Sequence, residues 1–404
     1  MAVGLCSFPV MPPITGIELG TTCAGIKQTV KDDLLITAMA EGSTCAAVFT
    51  QNAFCAAPVT VAKSHLSQTP RWLLVNSGNA NAGTGPQGIE DALTTCAGVA
   101  KAVGSVTEHV LPFSTGVIGQ PLPVDKIIAA IPKAVTHLSE QNWQHAAKAI
   151  MTTDTFPKGA TRTLQLDGHS ITINGIAKGA GMIQPDMATM LAFIATDARI
   201  AQPLLQQCLN EAASQSFNLI TVDGDTSTND ACVLMASGST SAAEILPHTQ
   251  YYELFAEAVL AVCKQLAELI IRDGEGATKL IRIVVDGARD KAEAVRVGKT
   301  IAHSPLVKTA FFASDPNWGR ILAAVGRAGV ENMVLEDVQI QLGEVYIVRN
   351  GGLAADYTEA AGQAVMNQEE ITVTIQLGRG NAKQEVLTCD FSYDYVKINA
   401  EYRT

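Results

Sequence analysis

Residues 177–197 carry the pattern that decides the fold, and they read AKGAGMIQPDMATMLAFIATD. Lys178 is followed by two glycines, Gly179 and Gly181, so a tight loop is predicted here. The apolar run 190–195 then has the length and composition of a buried strand. This stretch therefore predicts a glycine-rich loop that feeds directly into a core strand.

A hydroxyl side chain stands where that loop becomes the strand. Thr189 follows the small residue Ala188, which is the arrangement expected of an N-terminal nucleophile. If the Ala188–Thr189 bond breaks, Thr189 gains an α-amino group with a pKa of about 7.7–8.0, which can act as base for its own hydroxyl. Position alone supports this weakly, because threonine is a common strand residue.

Composition excludes several classes of protein. The chain has 404 residues, 47% of them hydrophobic, and a net charge of −11 from 28 Lys+Arg and 39 Asp+Glu. This balance is typical of folded globular proteins. The acidic charge, without a basic run, argues against nucleic acid or an anionic membrane as partner. No stretch approaches the roughly 18 apolar residues of a membrane helix.

The N-terminus and the cysteines indicate a cytoplasmic protein. The first residues, MAVGLCSFPVMPPITG, contain neither a basic region nor a clean apolar segment, so we expect no secretory signal. Nine cysteines are scattered without a C-x-x-C motif. A disulfide framework or zinc ribbon is therefore not predicted.

Strand and helix patterns interleave without a regular βαβ rhythm, which favours a layered α/β or α+β fold. A serine, Ser139, can cap the helix that carries Trp143. The remaining predictions are a hairpin of strands 34–40 and 44–50, a short strand 72–75 ending at Asn76, helices around 89–103 and from Pro203, a long helix 251–271, and strands 280–285 and 371–377.

Cofactor-binding motifs are either absent from the sequence or lack the spacing that they require. Gly83–Gly88 matches G-x-G-x-x-G, but seven residues separate it from the preceding strand, so a glycine-rich turn is the better interpretation. Walker A, H-E-x-x-H and G-x-S-x-G motifs are absent from the sequence. The Asp223-Gly224-Asp225 segment fits a turn better than a cation site, since no further carboxylate cluster accompanies it. No metal or organic cofactor is predicted.

The segment KGAGMIQPDMATML resembles the signature of the ornithine acetyltransferase family, also called glutamate N-acetyltransferases, of arginine biosynthesis. Six further blocks agree with that family in the same order, and together they span essentially the whole chain. These blocks are Phe113–Gly119, Met151–Thr155, Ser227–Asp230, Gly274–Lys279, Ser314–Arg320 and Asn399–Thr404.

The resemblance implies self-cleavage between Ala188 and Thr189. An α chain, 1–188, and a β chain, 189–404, would result from attack of the threonine hydroxyl on the preceding carbonyl, followed by ester hydrolysis. The implied fold is an αββα sandwich of the N-terminal-nucleophile type with a second, smaller α/β domain. Family members assemble as α₂β₂ or larger.

The resemblance also implies a ping-pong reaction in which Thr189 carries acetyl from N²-acetyl-L-ornithine to L-glutamate. Thr115 and Gly116 would form the oxyanion hole. Bifunctional members also accept acetyl-CoA, and no residue here separates the two kinds. The implied substrate contacts are Thr152 with Thr153 beside it, Lys178, Thr189, Glu275, Asn399 and Thr404.

Plainer interpretations stay open at this point. Taken alone, Ser114-Thr115-Gly116 fits a turn after a strand, Lys178 a solvated surface lysine, and Glu275 a turn carboxylate. A self-cleaving Thr- or Ser-nucleophile aminopeptidase of similar fold is the nearest rival function. A non-catalytic amino-acid-binding relative is the second rival, although it predicts a decayed nucleophile or oxyanion block.

Overall fold

The computed structural model of the chain describes residues 2–4, 7–184 and 190–401. Ala188, Thr189 and Thr404 lie outside these ranges. Among the helices described, none is long and apolar enough to cross a bilayer. The chain divides into a larger unit, formed by Ser7–Asn218 and Asp225–Ile270, and a smaller unit, formed by Met1–Cys6, Leu219–Gly224 and Ile271–Thr404.

The strands follow the apolar runs of the sequence. In chain order they are β1 (Ile17–Thr22), β2 (Leu34–Met39), β3 (Thr44–Phe49), β4 (Trp72–Asn79), β5 (Val110–Val117), β6 (Lys158–Leu166), β7 (His169–Lys178), β8 (Leu191–Thr196), β9 (Ala231–Ala236), β10 (Leu280–Ala288), β11 (Gln339–Leu342), β12 (Val345–Arg349), β13 (Gly352–Leu353), β14 (Glu370–Gln376) and β15 (Ala382–Cys389).

The helices carry apolar residues at helical spacing. They are α1 (Ala57–His65), α2 (Gly85–Val103), α3 (Val124–Thr136), α4 (Trp143–Ala149), α5 (Gln202–Ser214), α6 (Gln250–Arg272), α7 (Lys291–Ala302), α8 (Pro305–Phe312), α9 (Trp318–Gly326), α10 (Glu359–Met366) and α11 (Tyr393–Ala400), with 3₁₀ turns at Thr107–His109, Phe217–Leu219 and Leu335–Asp337.

Two stacked sheets form the centre of the larger unit. One has the strand order β1-β2-β4-β5, and the other has the order β3-β9-β8-β7-β6. Their facing sides share one buried apolar cluster, in which Leu73 and Phe113 of the first sheet meet Ile176 and Phe193 of the second. The rings of Phe113 and Phe193 pack edge to face with centroids 5.2 Å apart.

Helices cover the outer face of each sheet. Val99 of α2 and Ile131 of α3 pack against the buried residues Ile36 and Leu74 of the first sheet. On the second sheet α5 packs against β3 and β9. Gly175 of β7 leaves room there for two α6 side chains. The order helix–sheet–sheet–helix confirms the predicted αββα sandwich.

The smaller unit is itself an α/β structure, as predicted. Its sheet has the order β13-β12-β11-β14-β10-β15, in which β10 and β14 run parallel. Val297 of α7 and Ile321 of α9 pack on Ile283 and Val373 of the central strands. The smaller unit therefore has a hydrophobic core of its own, as expected of a compact domain.

The predicted hairpin is wrong, although both of its strands exist. β2 pairs with β1 and β4, whereas β3 pairs with β9 of the other sheet. The chain therefore crosses between sheets at Glu41-Gly42-Ser43. Since β2 is buried along its whole length, its apolar run reports burial on both faces and says nothing about its partner.

Two other local predictions need correction. Asn142, rather than Ser139, precedes α4, and Ser139 instead pairs its backbone with Leu19. The strand at 72–75 continues to Asn79 because its polar residues find buried partners. Ser77 donates its hydroxyl proton to the carbonyl oxygen of Ala149 at 2.5 Å.

Candidate active site

Thr115 and Gly116 lie within β5, near its C-terminal end, and do not form the turn that their residue types favour. Gly116 has a φ of 135°, and a Cβ there would stand 2.3 Å from the carbonyl carbon of Gly78 on β4. Only glycine fits this position. The strand register also shifts at Gly78 and Asn79, which is the kind of irregularity that re-aims groups beside a site.

Lys178 connects the two sheets at this point. It ends β7 of the second sheet, and its Nζ donates a hydrogen bond to Thr115 Oγ1 at 2.9 Å. Lys178 is therefore half-buried and engaged, which corrects the surface-lysine interpretation. Because Thr115 Oγ accepts from an ammonium group, its own hydroxyl proton remains available to an anion.

A buried carboxylate holds Thr152 and the Lys178 segment in place. Asp154 accepts hydrogen bonds from Gly179 N at 2.7 Å and from Thr152 N at 2.9 Å. It also pairs with Lys158 Nζ at 2.5 Å, and both side chains are fully buried. Burial alone would raise the pKa of Asp154, but the charges of Lys158 and Lys178 and the Gly179 N–H outweigh it, so this pKa lies well below its usual range.

The Ser227–Asp230 block contributes a second buried carboxyl group. Asp230 is fully buried, and its Oδ2 has no hydrogen-bond partner among the described residues. Burial raises the pKa of Asp230 well above its usual range, and Ser227 and Lys178 offset this only in part. The next residue, Ala231, donates its N–H to Met190 O at 3.0 Å. Asp230 therefore immediately precedes the residue that pairs with Met190, and Met190 follows Thr189 in the sequence.

In the smaller unit the structure brings Glu275 and Asn399 together. Asn399 Nδ2 donates to Glu275 Oε2 at 2.8 Å, and Glu275 is buried in the turn that follows α6. Gly276, with a φ of 69°, allows α11 to lie against this turn, since a Cβ there would stand 2.4 Å from Tyr395 N. A buried carboxylate with one amide partner is suited to binding an ammonium group.

The other predicted site residues are accounted for as follows. Thr152 and Thr153 are half-buried in the bend between α4 and β6. Ala188, Thr189 and Thr404 lie outside the described residues. No group of three His, Cys, Asp or Glu side chains that could hold a metal ion occurs in the described part of the chain.

Asp154 and Asp230 are functional-site residues that the sequence patterns did not single out. Both stand inside blocks that carry the family resemblance, next to hydroxyl-bearing neighbours. For Asp154, the sequence signal was its position four residues before Lys158, a spacing at which the two side chains can form an ion pair. For Asp230, the signal was its position immediately before an apolar run, because an aspartate is rarely buried unless it is paired.

The sequence matches the ArgJ family over residues 18–404. The chain belongs to the ArgJ family. "Arginine biosynthesis bifunctional protein ArgJ" of Methylococcus capsulatus is 64% identical over 97% of this chain and 96% of that protein. The protein of the same name from Pseudomonas fluorescens is 55% identical over the full length of both. The predicted family is therefore confirmed.

Two solved structures match this chain in part. The arginine biosynthesis bifunctional protein ArgJ of Bacillus halodurans is 41% identical, covers 52% of this chain and 99% of that chain, and gives a TM-score of 0.50. Ornithine acetyltransferase of Mycobacterium tuberculosis, complexed with ornithine, is 35% identical and covers 44% and 95%. Its TM-score is 0.40.

Proposed function

We propose that the chain is a self-processing acetyltransferase of arginine biosynthesis. It moves an acetyl group from N²-acetyl-L-ornithine to L-glutamate, and it also accepts acetyl-CoA as donor. Membership of the ArgJ family supports the transferase class, and the relatives' description as bifunctional supports the second donor. The observation that carries the mechanism is the hydrogen bond from Lys178 to Thr115 beside Gly116.

In the proposed reaction Thr189 Oγ attacks the acetyl carbonyl carbon, and its proton passes to its own α-amino group. The carbonyl oxygen becomes an oxyanion, which the Thr115 hydroxyl and the Gly116 N–H stabilise. The C–N bond then breaks, the proton passes to the departing amine of ornithine, and an acetyl-threonine remains. Attack by the glutamate amine reverses these steps and releases N-acetylglutamate.

The same nucleophile accounts for the proposed self-cleavage. Thr189 Oγ attacks the carbonyl of Ala188, the peptide C–N bond breaks to leave an ester, and water hydrolyses that ester. The B. halodurans match supports two chains. It covers nearly all of a solved chain but only 52% of the present 404 residues, or about 210 residues. That length is close to the 216 residues predicted for the β chain.

Charges on the described residues suit the proposed substrates. Both substrates are amino acids with a carboxylate, and Lys178 supplies a cation beside the oxyanion position. Acetylornithine adds an ammonium group, for which Glu275 with Asn399 is the proposed partner. We further propose an α₂β₂ or larger assembly, a cytoplasmic location, and catalysis without metal or organic cofactor.

Intact mass under denaturing conditions tests the nucleophile, with wild type beside Thr189→Ala. We expect two fragments that meet at Ala188–Thr189 in the wild type and one uncut chain in the variant. Acetyl transfer to glutamate is then assayed from acetylornithine and from acetyl-CoA, with peptide hydrolysis in parallel. Hydrolysis without transfer would favour the aminopeptidase, and full function of Thr189→Ala would favour the non-catalytic relative.

Thr115 gives a sharper test of the oxyanion hole. Removing one such donor costs about 10²–10³ in turnover, so Thr115→Val should reduce kcat by that factor. Thr115→Ser keeps the hydroxyl and should retain most of the activity. Equal kcat values for the two variants would contradict the role proposed for this hydroxyl.

A further inference from the structure

A second lysine, Lys27, lies near the proposed oxyanion hole. It belongs to the loop of residues 23–33 between β1 and β2, and it packs against Gly78 of β4. Asp33, which is fully buried, fixes the conformation of this loop. Its carboxylate accepts hydrogen bonds from the backbone N–H groups of Ala24 and Ile26, both at 2.6 Å, and of Lys27 at 3.1 Å. Three contacts to one charged group therefore fix this loop, and one of them holds the backbone of Lys27 directly.

Glycines bring Lys27 close to the proposed oxyanion hole. A Cβ on Gly78 would stand 3.1 Å from Lys27 Cγ and 3.4 Å from Lys27 N. Gly78 also lies against Gly116, since a Cβ built on Gly116 would stand 2.3 Å from the carbonyl carbon of Gly78. Lys27, Gly78 and Gly116 therefore lie in succession, and the loop packs onto the strand next to Thr115.

The ammonium group of Lys27 has only weak partners. Its Nζ reaches two backbone carbonyl oxygens, of Asp32 and Ala149, both at 3.4 Å. No carboxylate among the described residues lies within ion-pairing distance of it. Burial lowers the pKa of Lys27, and the charges of Lys31 and Lys178 act in the same direction, against the opposing effect of Asp33 and Asp154.

This arrangement is unusual for a lysine. A half-buried ammonium group normally forms an ion pair or strong hydrogen bonds. Here the charges of Lys31 and Lys178 both act on Lys27, and Lys178 itself contacts Thr115. Ala149 O also accepts from Ser77, and it lies three residues before Thr152. Lys27 therefore contacts the chain three residues before Thr152, and Asp154 links Thr152 to Gly179, the residue after Lys178.

We propose that Lys27 is a substrate-binding residue and that, together with Lys178, it binds the α-carboxylate of the amino-acid substrates. This inference rests on the proposed function. A carboxylate would supply the anionic partner that Lys27 lacks among the described residues.

The α-carboxylate is a better partner for the two lysines than the side-chain end of the substrate. Ornithine and glutamate differ in their side chains, but both carry an α-amine and an α-carboxylate on the same carbon. The acetyl group is transferred to and from that α-amine, so the α-carboxylate always lies two bonds from the reacting nitrogen. Lys178, which contacts Thr115, and Lys27, whose side-chain stem lies against Gly78, are therefore suited to this common group.

Binding measurements test the proposal without relying on activity. Dissociation constants of L-ornithine and of L-ornithine amide, which lacks the carboxylate, are measured by calorimetry on wild type and on Lys27→Met. A charge-assisted contact predicts a weakening of about ten- to hundredfold for ornithine in the variant. The amide should bind equally to wild type and to Lys27→Met, because it has no carboxylate and therefore makes no contact that the substitution removes.

Matched variants control for charge and for folding. Lys31→Met removes an exposed lysine of the same loop and should leave ornithine binding unchanged. Lys27→Arg keeps the charge and should bind ornithine within about fivefold of wild type. If Lys27→Met does not fold, Lys27→Gln is measured instead, since its amide can still donate to Ala149 and Asp32.

The outcomes separate this inference from the proposed function. Acetyl transfer by wild type, with equal ornithine binding in Lys27→Met, would overturn the role of Lys27 and leave the function standing. Carboxylate-dependent binding that is lost in Lys27→Met, without any acetyl transfer by wild type, would keep the site and overturn the function. No ornithine binding by wild type would overturn both.

Discussion

Gly116 allows β5 to approach β4 closely, and its replacement should be costly. A Cβ at this position would overlap the backbone of Gly78, and a φ of 135° is strained for any other residue. We expect Gly116→Ala to lower the free energy of unfolding by about 3 kcal/mol or more, from backbone strain and overpacking together. Urea unfolding measures this, in the Thr189→Ala background, so that each protein is one chain.

Gly326, at the end of α9, provides the matched control. Nothing lies within 4 Å of a Cβ added there, and its φ is ordinary. Gly326→Ala should therefore be neutral or stabilising, by up to about 1 kcal/mol, because alanine has the higher helix propensity. Similar losses in the two variants would show that the close approach of β4 and β5 is not what restricts Gly116.

Asp230 should make the stability of the protein fall as pH rises. Its folded pKa is raised by burial, so above about pH 3.9, the usual aspartate value, the folded chain holds a proton that the unfolded chain has released. The free energy of unfolding then decreases with pH until the folded pKa is reached. Asp230→Asn cannot ionise, and its stability relative to wild type should increase between pH 4 and pH 8.

Thermal unfolding of both chains at pH 4, 6 and 8 measures this difference. The Thr189→Ala background again keeps the comparison to uncut chains, so the charge of a new α-amino group does not enter. Melting temperatures that stay a constant distance apart across this range would contradict a proton held by Asp230 in the folded state.

At the scale of elements, Asp390 joins the end of β15 to the segment that carries Glu275. It is fully buried, and it accepts hydrogen bonds from Thr278 N at 2.8 Å, Thr278 Oγ1 at 2.6 Å and Lys279 N at 2.9 Å. Asp390→Ala removes three hydrogen bonds to a charged group, which are the stronger kind, and should loosen this segment. Because the segment carries Glu275, the proposed partner of the substrate ammonium group, we expect the KM for acetylornithine to rise about tenfold or more.

Asp390→Asn is the matched control. Its amide oxygen can still accept from the two N–H groups, and its NH₂ can donate to Thr278 Oγ1. We expect a KM near that of wild type. Self-cleavage should persist in both variants, because Thr115, Lys178 and Asp154 all belong to the larger unit. An equal rise in KM in both variants would show that the lost hydrogen-bond geometry is not the cause.

At the scale of the whole molecule, the predicted cleavage products do not coincide with the compact units. The bond between 188 and 189 lies between β7 and β8, which pair with each other in one sheet. β3, from the predicted α chain, also pairs with β9 from the predicted β chain. Strands and core residues of both products therefore belong to the same larger unit.

We therefore expect the two fragments to stay together after cleavage. They should co-elute in gel filtration under native conditions and separate only in denaturant, because separation would expose the shared sheet and its apolar core. Denaturing mass spectrometry of the native peak identifies both fragments. Two native peaks, one for each fragment, would contradict the strand pairing across the cleavage position.

Local patterns in the sequence predicted most elements but few of their partners. The long helix, the strand after Thr189 and two of the six strands of the smaller unit, at 280–285 and 371–377, were predicted correctly, since burial leaves its period in the residues that form them. The hairpin at 34–50 was wrong, because a buried apolar run does not record which strand lies beside it. The family resemblance supplied Thr115, Lys178 and Glu275, which residue types alone left as ordinary turn and surface positions.

The sequence by itself determined the class of fold and, through its ordered blocks, the family. Only the tertiary structure decided that Lys178 contacts Thr115 across 63 residues of chain, that Asp154 ties Thr152 to Gly179, and that Lys27 lies against Gly78. The physical reason is range. Periodicity and turn chemistry act over a few residues, whereas the charge state and partners of a buried group depend on whatever the fold places beside it.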